Sequence, residues 1–260
     1  MVTTLVEVGL AYPNYKKINS MEINYIGDNL KIINLLNNND YFRLNEIFCI
    51  TRKRYHSIKK KINKKINYCS NLNNLEKKIL NKKKNNEIFI IYECPLIISK
   101  KLLDKHQFFN LHRGSLKFNR GPIPEVWTIL NGDKYAYFTL HKINEKIDLG
   151  EIIFQEKISL NKRYNVLQLR MLMEKKLEKL IRKLYLYFKK RIKTKKIRKG
   201  KYNNFLTESD YTINLKKDSF NTIKNKIFSQ QSLKGAVITR GKKKFYIKSI
   251  LDLKKLKKKL

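Results

Sequence analysis

Three side chains in this sequence can handle a proton together: Asn110, His112 and Asp148. Asn110 and His112 close the apolar run FFNLH, which reads as a strand. Side chains alternate along a strand, so residues two apart enter one pocket from the same side. The stretch between His112 and Asp148 holds a loop, a helix and a further strand before a carboxylate returns to that pocket. The chemistry that wants these groups is acyl transfer to an amine. An amide such as Asn110 can donate to a developing oxyanion. An imidazole near neutrality accepts or relays a proton, and a carboxylate orients it or takes the amine's proton through water. None of these roles needs a covalent enzyme intermediate or a metal.

Around the trio, NLHRGSLKFNRGPIPEVW and LHKINEKIDLGEIIF resemble the N10-formyltetrahydrofolate-dependent formyltransferases. Asn110, His112, Arg120, Gly121, Pro124, Trp127, Thr139, Ile147, Asp148, Gly150 and Ile152 carry the likeness, in order and spacing. The resemblance implies that Asn110, His112 and Asp148 are the catalytic trio and that N10-formyltetrahydrofolate is the co-substrate, with no metal. It implies folate contacts from Cys94, Pro95 and Leu96, and from Thr139 and Ile147. It places Gly27, Asp28 and Asn29 in a first loop near the acceptor. Arg120 and Gly121 fall beside the substrate, with Arg120 either clamping an anionic group or positioning its loop. Ordinary core packing competes for Cys94 to Leu96, and a structural turn competes for Gly27 to Asn29. The chain departs from the family pattern at Arg113, Lys117 and Lys146, in loops that shape the two substrate pockets.

Asn119-Arg120-Gly121 before Pro124-x-x-Trp127, with Thr139-x-His141, is similar to the sugar N-formyltransferases. That branch implies a nucleotide-linked amino sugar as acceptor, such as a dTDP-4-amino-4,6-dideoxy sugar. The Arg-Gly-Pro-x-Pro and Leu-Asn-Gly-Asp runs also resemble methionyl-tRNA formyltransferase, so tRNA is the rival acceptor. From another class, the chain could be a catalytically degraded homologue that only binds a nucleotide or nucleic acid. A homodimer is among the assemblies open to it. His141, on the strand before the Asp148 loop, reads as a packed or surface histidine; Asn119 and Trp127 read as architectural.

A chain of 260 residues with a net charge of +38 can bury a large core and favours anionic partners. Its lysines are spread along the whole length, which reads as a solvated basic surface, with a nucleic-acid surface as the competitor. There is no long apolar run and no leader pattern, so a cytoplasmic protein without a membrane partner is expected. Cys49, Cys69 and Cys94 form no CxxC pair, which argues against a zinc site and suits a reducing compartment.

The elements predict an α/β, Rossmann-like fold with a mostly parallel sheet; the resemblance implies that this is a formyltransferase catalytic domain followed by a small C-terminal α+β/β accessory domain. EINYIGDN opens as strand and glycine turn, followed by a helical period at Leu30, Ile33 and Leu36. No Gly-x-Gly-x-x-Gly is present, so dinucleotide binding is not expected. Residues 1–20 read as an extension, with Met21 a sensible start. Residues 21–192 form the catalytic domain, 193–203 a basic linker and 204–260 the accessory domain. Residues 52–84 read as broken helix, and 166–189 as one amphipathic helix.

Overall fold

The computed structural model describes residues 20–82, 84–160 and 164–259. All but Ser20 of the expected N-terminal extension lies outside them. A seven-stranded sheet runs in the order β3-β2-β1-β4-β5-β6-β7. Its strands are β1 (Met21–Ile26), β2 (Phe42–Cys49), β3 (Lys65–Tyr68), β4 (Ile88–Ile91), β5 (Gln107–His112), β6 (Tyr135–Lys142) and β7 (Ile152–Ser159). Strands β1 to β5 pair in parallel, while β5–β6 and β6–β7 are antiparallel. The chain winds outward from β1 to β3, then crosses to β4. That leaves a topological switch point, where α/β sheets gather ligands at the carboxyl ends of their strands.

The period-2 pattern sorts the core. Ile88 and Ile90 of β4, with Phe109 and Leu111 of β5, face one cluster; Phe89, Ile91 and Phe108 face the other. The first face is covered by α1 (Leu30–Asn37), α2 (Arg52–Lys59), α5 (Pro124–Asn131), α6 (Val166–Glu174) and α7 (Leu177–Phe188). The second is covered by α3 (Leu72–Leu80) and α4 (Lys100–Leu103). Burial on both faces explains why β4 is uniformly apolar.

Three stretches differ from the sequence expectation. The segment 52–84 holds two helices with β3 between them, and β3 pairs with β2 at the sheet edge. The expected helix over 166–189 is two helices, α6 and α7, broken around Lys175 and Lys176. The basic linker is no free connector: Lys195 pairs with Ile152 and Tyr202 with Arg120.

Beyond it come α8 (Glu208–Tyr211), α9 (Phe220–Gln230), the antiparallel pair β8 (Ala236–Arg240) and β9 (Lys243–Ile247), and α10 (Ile250–Lys259). The hairpin turns at Gly241, which takes a left-handed backbone at φ 57. Ile213, Ile223, Ile227, Ala236, Ile238, Ile247 and Leu253 build a separate small core.

Candidate active site

Strand β5 delivers Asn110 and His112 to its carboxyl end, both on the side of Phe108. Asp148 comes back on the loop between β6 and β7. Its Oδ1 accepts from Asn110 Nδ2 at 3.3 Å and lies 3.6 Å from His112 Nδ1. His141 Nε2 lies 3.5 Å from the same oxygen. The other carboxylate oxygen accepts from Gly121 N–H at 2.9 Å. Burial alone would raise the Asp148 carboxyl. The fields of His112 and His141 and the Gly121 N–H outweigh it, holding the group well below the usual carboxylate range. Asp148 is therefore ionised at neutral pH.

His112 Nε2 lies 2.8 Å from the Asn119 carbonyl oxygen. A carbonyl only accepts, so Nε2 carries the hydrogen and Nδ1 is the atom turned to Asp148. Gly114 makes room for this bond: a Cβ there would sit 2.5 Å from the Asn119 oxygen and 2.7 Å from His112 Nε2. The small residue this loop needs is therefore Gly114, which leaves Arg113 free to be large. Asp148 itself takes a left-handed backbone at φ 46, as do Glu93 at φ 56 and Ile123 at φ 46. All three line one cleft. Such conformations cost side-chain-bearing residues energy and mark places where the surroundings dictate the backbone.

The cleft has an interior volume of about 290 Å³. Asn110, His112, His141 and Asp148 line its polar part; Cys94, Pro95, Leu96, Ile143 and Ile147 supply an apolar part. Ile97, Ile147 and Phe205 are exposed at its lining. This pairing of an apolar wall with a compact polar centre fits a flat heteroaromatic ring carrying a small reactive group. Burial pushes the Cys94 thiol up to about 11, so it is a packing group here and a poor nucleophile. Among the described residues, no group of three His, Cys, Asp or Glu side chains is placed to hold a metal ion.

Other expected site residues go elsewhere. Thr139 is fully buried and donates to the Gly114 carbonyl at 2.6 Å, so it supports the His112 loop from behind and lines no part of the cleft. Gly27, Asp28 and Asn29 do not line it either. Asp28 accepts from the backbone of Ile50 and Thr51, and Asn29 caps α1. The first loop thus makes a turn behind the cleft wall: Asn29 Nδ2 donates to Glu93 at 3.0 Å, and Gly27 sits against the Tyr92 carbonyl. Arg120 donates to the carbonyls of Ile147 and Gly200 and packs over Tyr202. Its guanidinium positions the Asp148 loop, the second of the two roles the sequence left open. Gly121 reaches the cleft through its backbone.

Further residues line the cleft beyond those the sequence placed in it. Arg113 follows His112 and forms ion pairs with Glu93 and Glu125, while Arg170 holds the same Glu125 at 2.6 Å. Pairing with Arg113 and the Asn29 amide holds the Glu93 carboxyl below its usual range although burial opposes it. His141, which the sequence reads as a packed or surface histidine, is packed, and it is the direct register partner of Asn110 on β6. Tyr202 at the end of the basic stretch and Phe205 just beyond it also line the cleft. No local motif marks these; pairing β6 against β5 would have found His141.

A family model described as formyl transferase matches residues 43–184. Among curated proteins, the chain is 33% identical over 150 residues to a bifunctional polymyxin resistance protein ArnA of Wigglesworthia glossinidia brevipalpis, covering 55% of this chain and 22% of that one. It is 37% identical over 79 residues to a methionyl-tRNA formyltransferase of Thermodesulfovibrio yellowstonii, covering 30% of this chain and 26% of that one. The chain thus matches about a quarter of the length of these relatives. Among solved structures it shares its fold with a sugar N-formyltransferase from a Shewanella species, at TM-score 0.70, 19% identity and coverage of 89% of this chain and 98% of that one. It likewise matches HypX from Aquifex aeolicus in complex with tetrahydrofolic acid, at TM-score 0.62, 13% identity and coverage of 85% and 36%.

Proposed function

The chain belongs to the formyl transferase family, and from that premise we propose that it moves a formyl group from N10-formyltetrahydrofolate to the primary amine of a nucleotide-linked amino sugar. The observation that carries this reading is the convergence of Asn110, His112 and His141 on one ionised oxygen of Asp148, at the floor of a half-apolar cleft. A sugar acceptor is supported by the Shewanella sugar N-formyltransferase fold, which covers nearly all of that protein and includes the segment after α7.

Cys94, Pro95, Leu96 and Ile147 would hold the folate ring, and the co-substrate supplies a formyl carbon already activated by its nitrogen. Asn110 has two amide hydrogens; one goes to Asp148, and the other is available to the formyl oxygen as charge gathers there. The attacking amine must be neutral. As the amine nitrogen bonds to the formyl carbon, the bond from that carbon to N10 breaks; His112 takes the amine's proton at Nδ1, because Nε2 is already tied to Asn119, and passes it to the departing N10. Asp148 stabilises the resulting imidazolium, and direct transfer needs no covalent enzyme intermediate.

The test is mass spectrometry of products after incubation with N10-formyltetrahydrofolate and two acceptors, a dTDP-4-amino-4,6-dideoxy sugar panel and methionyl-tRNA. A formylated sugar nucleotide, abolished in His112→Ala, supports the proposal. Formylated tRNA alone would move the chain to the rival branch, which the +38 charge and the methionyl-tRNA formyltransferase match favour. No product, with nucleic-acid binding that weakens steeply with salt, would support a degraded binder.

A further inference from the structure

The basic segment after α7 lies along the loop that seats His112. Lys201 N–H donates to the Lys117 carbonyl at 2.9 Å, Arg120 N–H to the Lys201 carbonyl at 3.0 Å, and Asn203 N–H to the Arg120 carbonyl at 3.0 Å. This short ladder brings one polar side chain inside: Asn203 is only 5% exposed. Its Nδ2 donates to Asn119 Oδ1 at 3.0 Å. At the other end of that amide, Asn119 Nδ2 donates to Thr128 Oγ1 of α5 at 2.9 Å, with Asp133 Oδ2 at 3.4 Å. Asn119 is therefore gripped from both sides, and its main-chain oxygen receives His112 Nε2–H. One residue further on, Trp127 Nε1 donates to the Asn204 carbonyl at 3.0 Å and closes the strap over α5.

We propose that Asn203 is a positioning residue for His112, acting through Asn119: it fixes the carbonyl that keeps the imidazole hydrogen on Nε2 and so leaves Nδ1 as the proton-accepting atom. The physical reason is geometric. A hydrogen bond weakens steeply with misalignment, and the carbonyl lies on a loop anchored by partners 84 residues apart in sequence. Without the Asn203 amide, the loop keeps its α5 contact but loses the opposing one. The Asn119 carbonyl can then tilt away, and the ring loses what distinguishes its two nitrogens. The other groups facing the ring are Asp148 at 3.6 Å from Nδ1 and His141, ring centroid to ring centroid 6.3 Å. Neither can replace a fixed acceptor at Nε2. The catalytic consequence rests on the formyl-transfer reading; the state of the ring does not.

The test uses the full chain labelled with 15N-histidine, its four histidines resolved by two-dimensional 15N–1H spectra and His112 assigned from the His112→Gln variant. Wild type is expected to show His112 with hydrogen on Nε2. Asn203→Ala is expected to move its two ring nitrogens toward a tautomer average, leaving His56 and His106 unchanged. With dTDP-4-amino-4,6-dideoxyglucose as acceptor, kcat is expected to fall about tenfold, as for one lost buried hydrogen bond, with KM for N10-formyltetrahydrofolate unchanged. Asn203→Asp, which keeps the shape but removes the donor, provides the same reading if Asn203→Ala does not fold. A folded variant of either kind with unchanged His112 signals overturns the proposal, whatever happens to activity. Altered His112 signals in a protein whose wild type formylates nothing leave the proposal standing and defeat the formyl-transfer reading.

Discussion

Asn110 and His141 face each other as register partners across the antiparallel pair β5–β6, and both reach the same oxygen of Asp148, at 3.3 and 3.5 Å. His141 Nδ1 lies 3.2 Å from the Lys142 carbonyl, so in the neutral ring its hydrogen sits on that side. Nε2 has no hydrogen-bond partner and points at a carboxylate. A second imidazole thus stands ready to share the charge of Asp148. Replacing it, as in His141→Ala, is expected to lower kcat by about 10- to 100-fold through misplacement of Asp148. The loss should be smaller than the 10²–10⁴-fold expected for His112→Ala. Steady-state kinetics of the two variants side by side check the ranking.

Gly114 predicts a loss of activity from the smallest possible change. The Cβ of Gly114→Ala would meet the Asn119 oxygen and His112 Nε2 inside contact distance, and one of them must move. A fall in kcat on the order of 100-fold is expected. The variant should remain folded in a thermal melt, because the clash lies at the cleft and not in either core cluster.

Asp148 gives a pH signature in stability. Its folded carboxyl sits below its ordinary value: burial raises it, but His112, His141 and the Gly121 N–H outweigh that. A depressed carboxyl contributes stability that is present above the unfolded value of about 3.9 and is lost as pH falls below it. The difference in Tm between wild type and Asp148→Asn should therefore shrink as pH is lowered from about 6 to about 3. A difference that stays constant or grows over that range would contradict the assignment.

Arg113 should matter to folding as well as to the cleft. Glu125 is fully buried and shared between Arg113 and Arg170. Arg113→Ala would leave Glu125 with one partner and Glu93 with none but the Asn29 amide. A destabilisation of about 2 kcal/mol is expected, the scale of losing a charged hydrogen-bond partner. Urea unfolding measures it. Because Arg170 still faces Glu125, the loss should be smaller than for a buried carboxylate stripped of all its partners.

That Asn110, His112 and Asp148 meet in one cleft was legible because it rests on order and period. A strand fixes the common side of Asn110 and His112, and the Ile147-Asp148-x-Gly150 loop carries its own signal. The parallel core was legible in the uninterrupted apolar run of β4. What escaped depended on pairing across the chain. β3 is short, half-exposed and lies at the sheet edge, so KINY offers no buried alternation to read. Lys175 and Lys176 are good helix formers, and nothing local announces the break between α6 and α7. Thr139 carried a family position, but its hydroxyl is committed to Gly114 and Gln155 behind the site. Arg120 looked able to clamp an anion, and its partners Ile147 and Gly200 are backbone oxygens that no side-chain pattern reveals. The linker's basic composition concealed a ladder made entirely by main-chain atoms.

That ladder also has a consequence for the order in which the molecule is made. A ribosome releases Asn119 84 residues before it releases Asn203. The Rossmann-like half can collapse on its own two core faces as it emerges. Its loop beside β5 nevertheless waits for a distant segment, and closing so long a loop is slow compared with local folding. A nascent or truncated chain ending before Asn203 would hold every member of the trio and still have an unfinished site. On the Asn203 proposal, the seat of His112 is completed late in synthesis, by a segment rich in lysine.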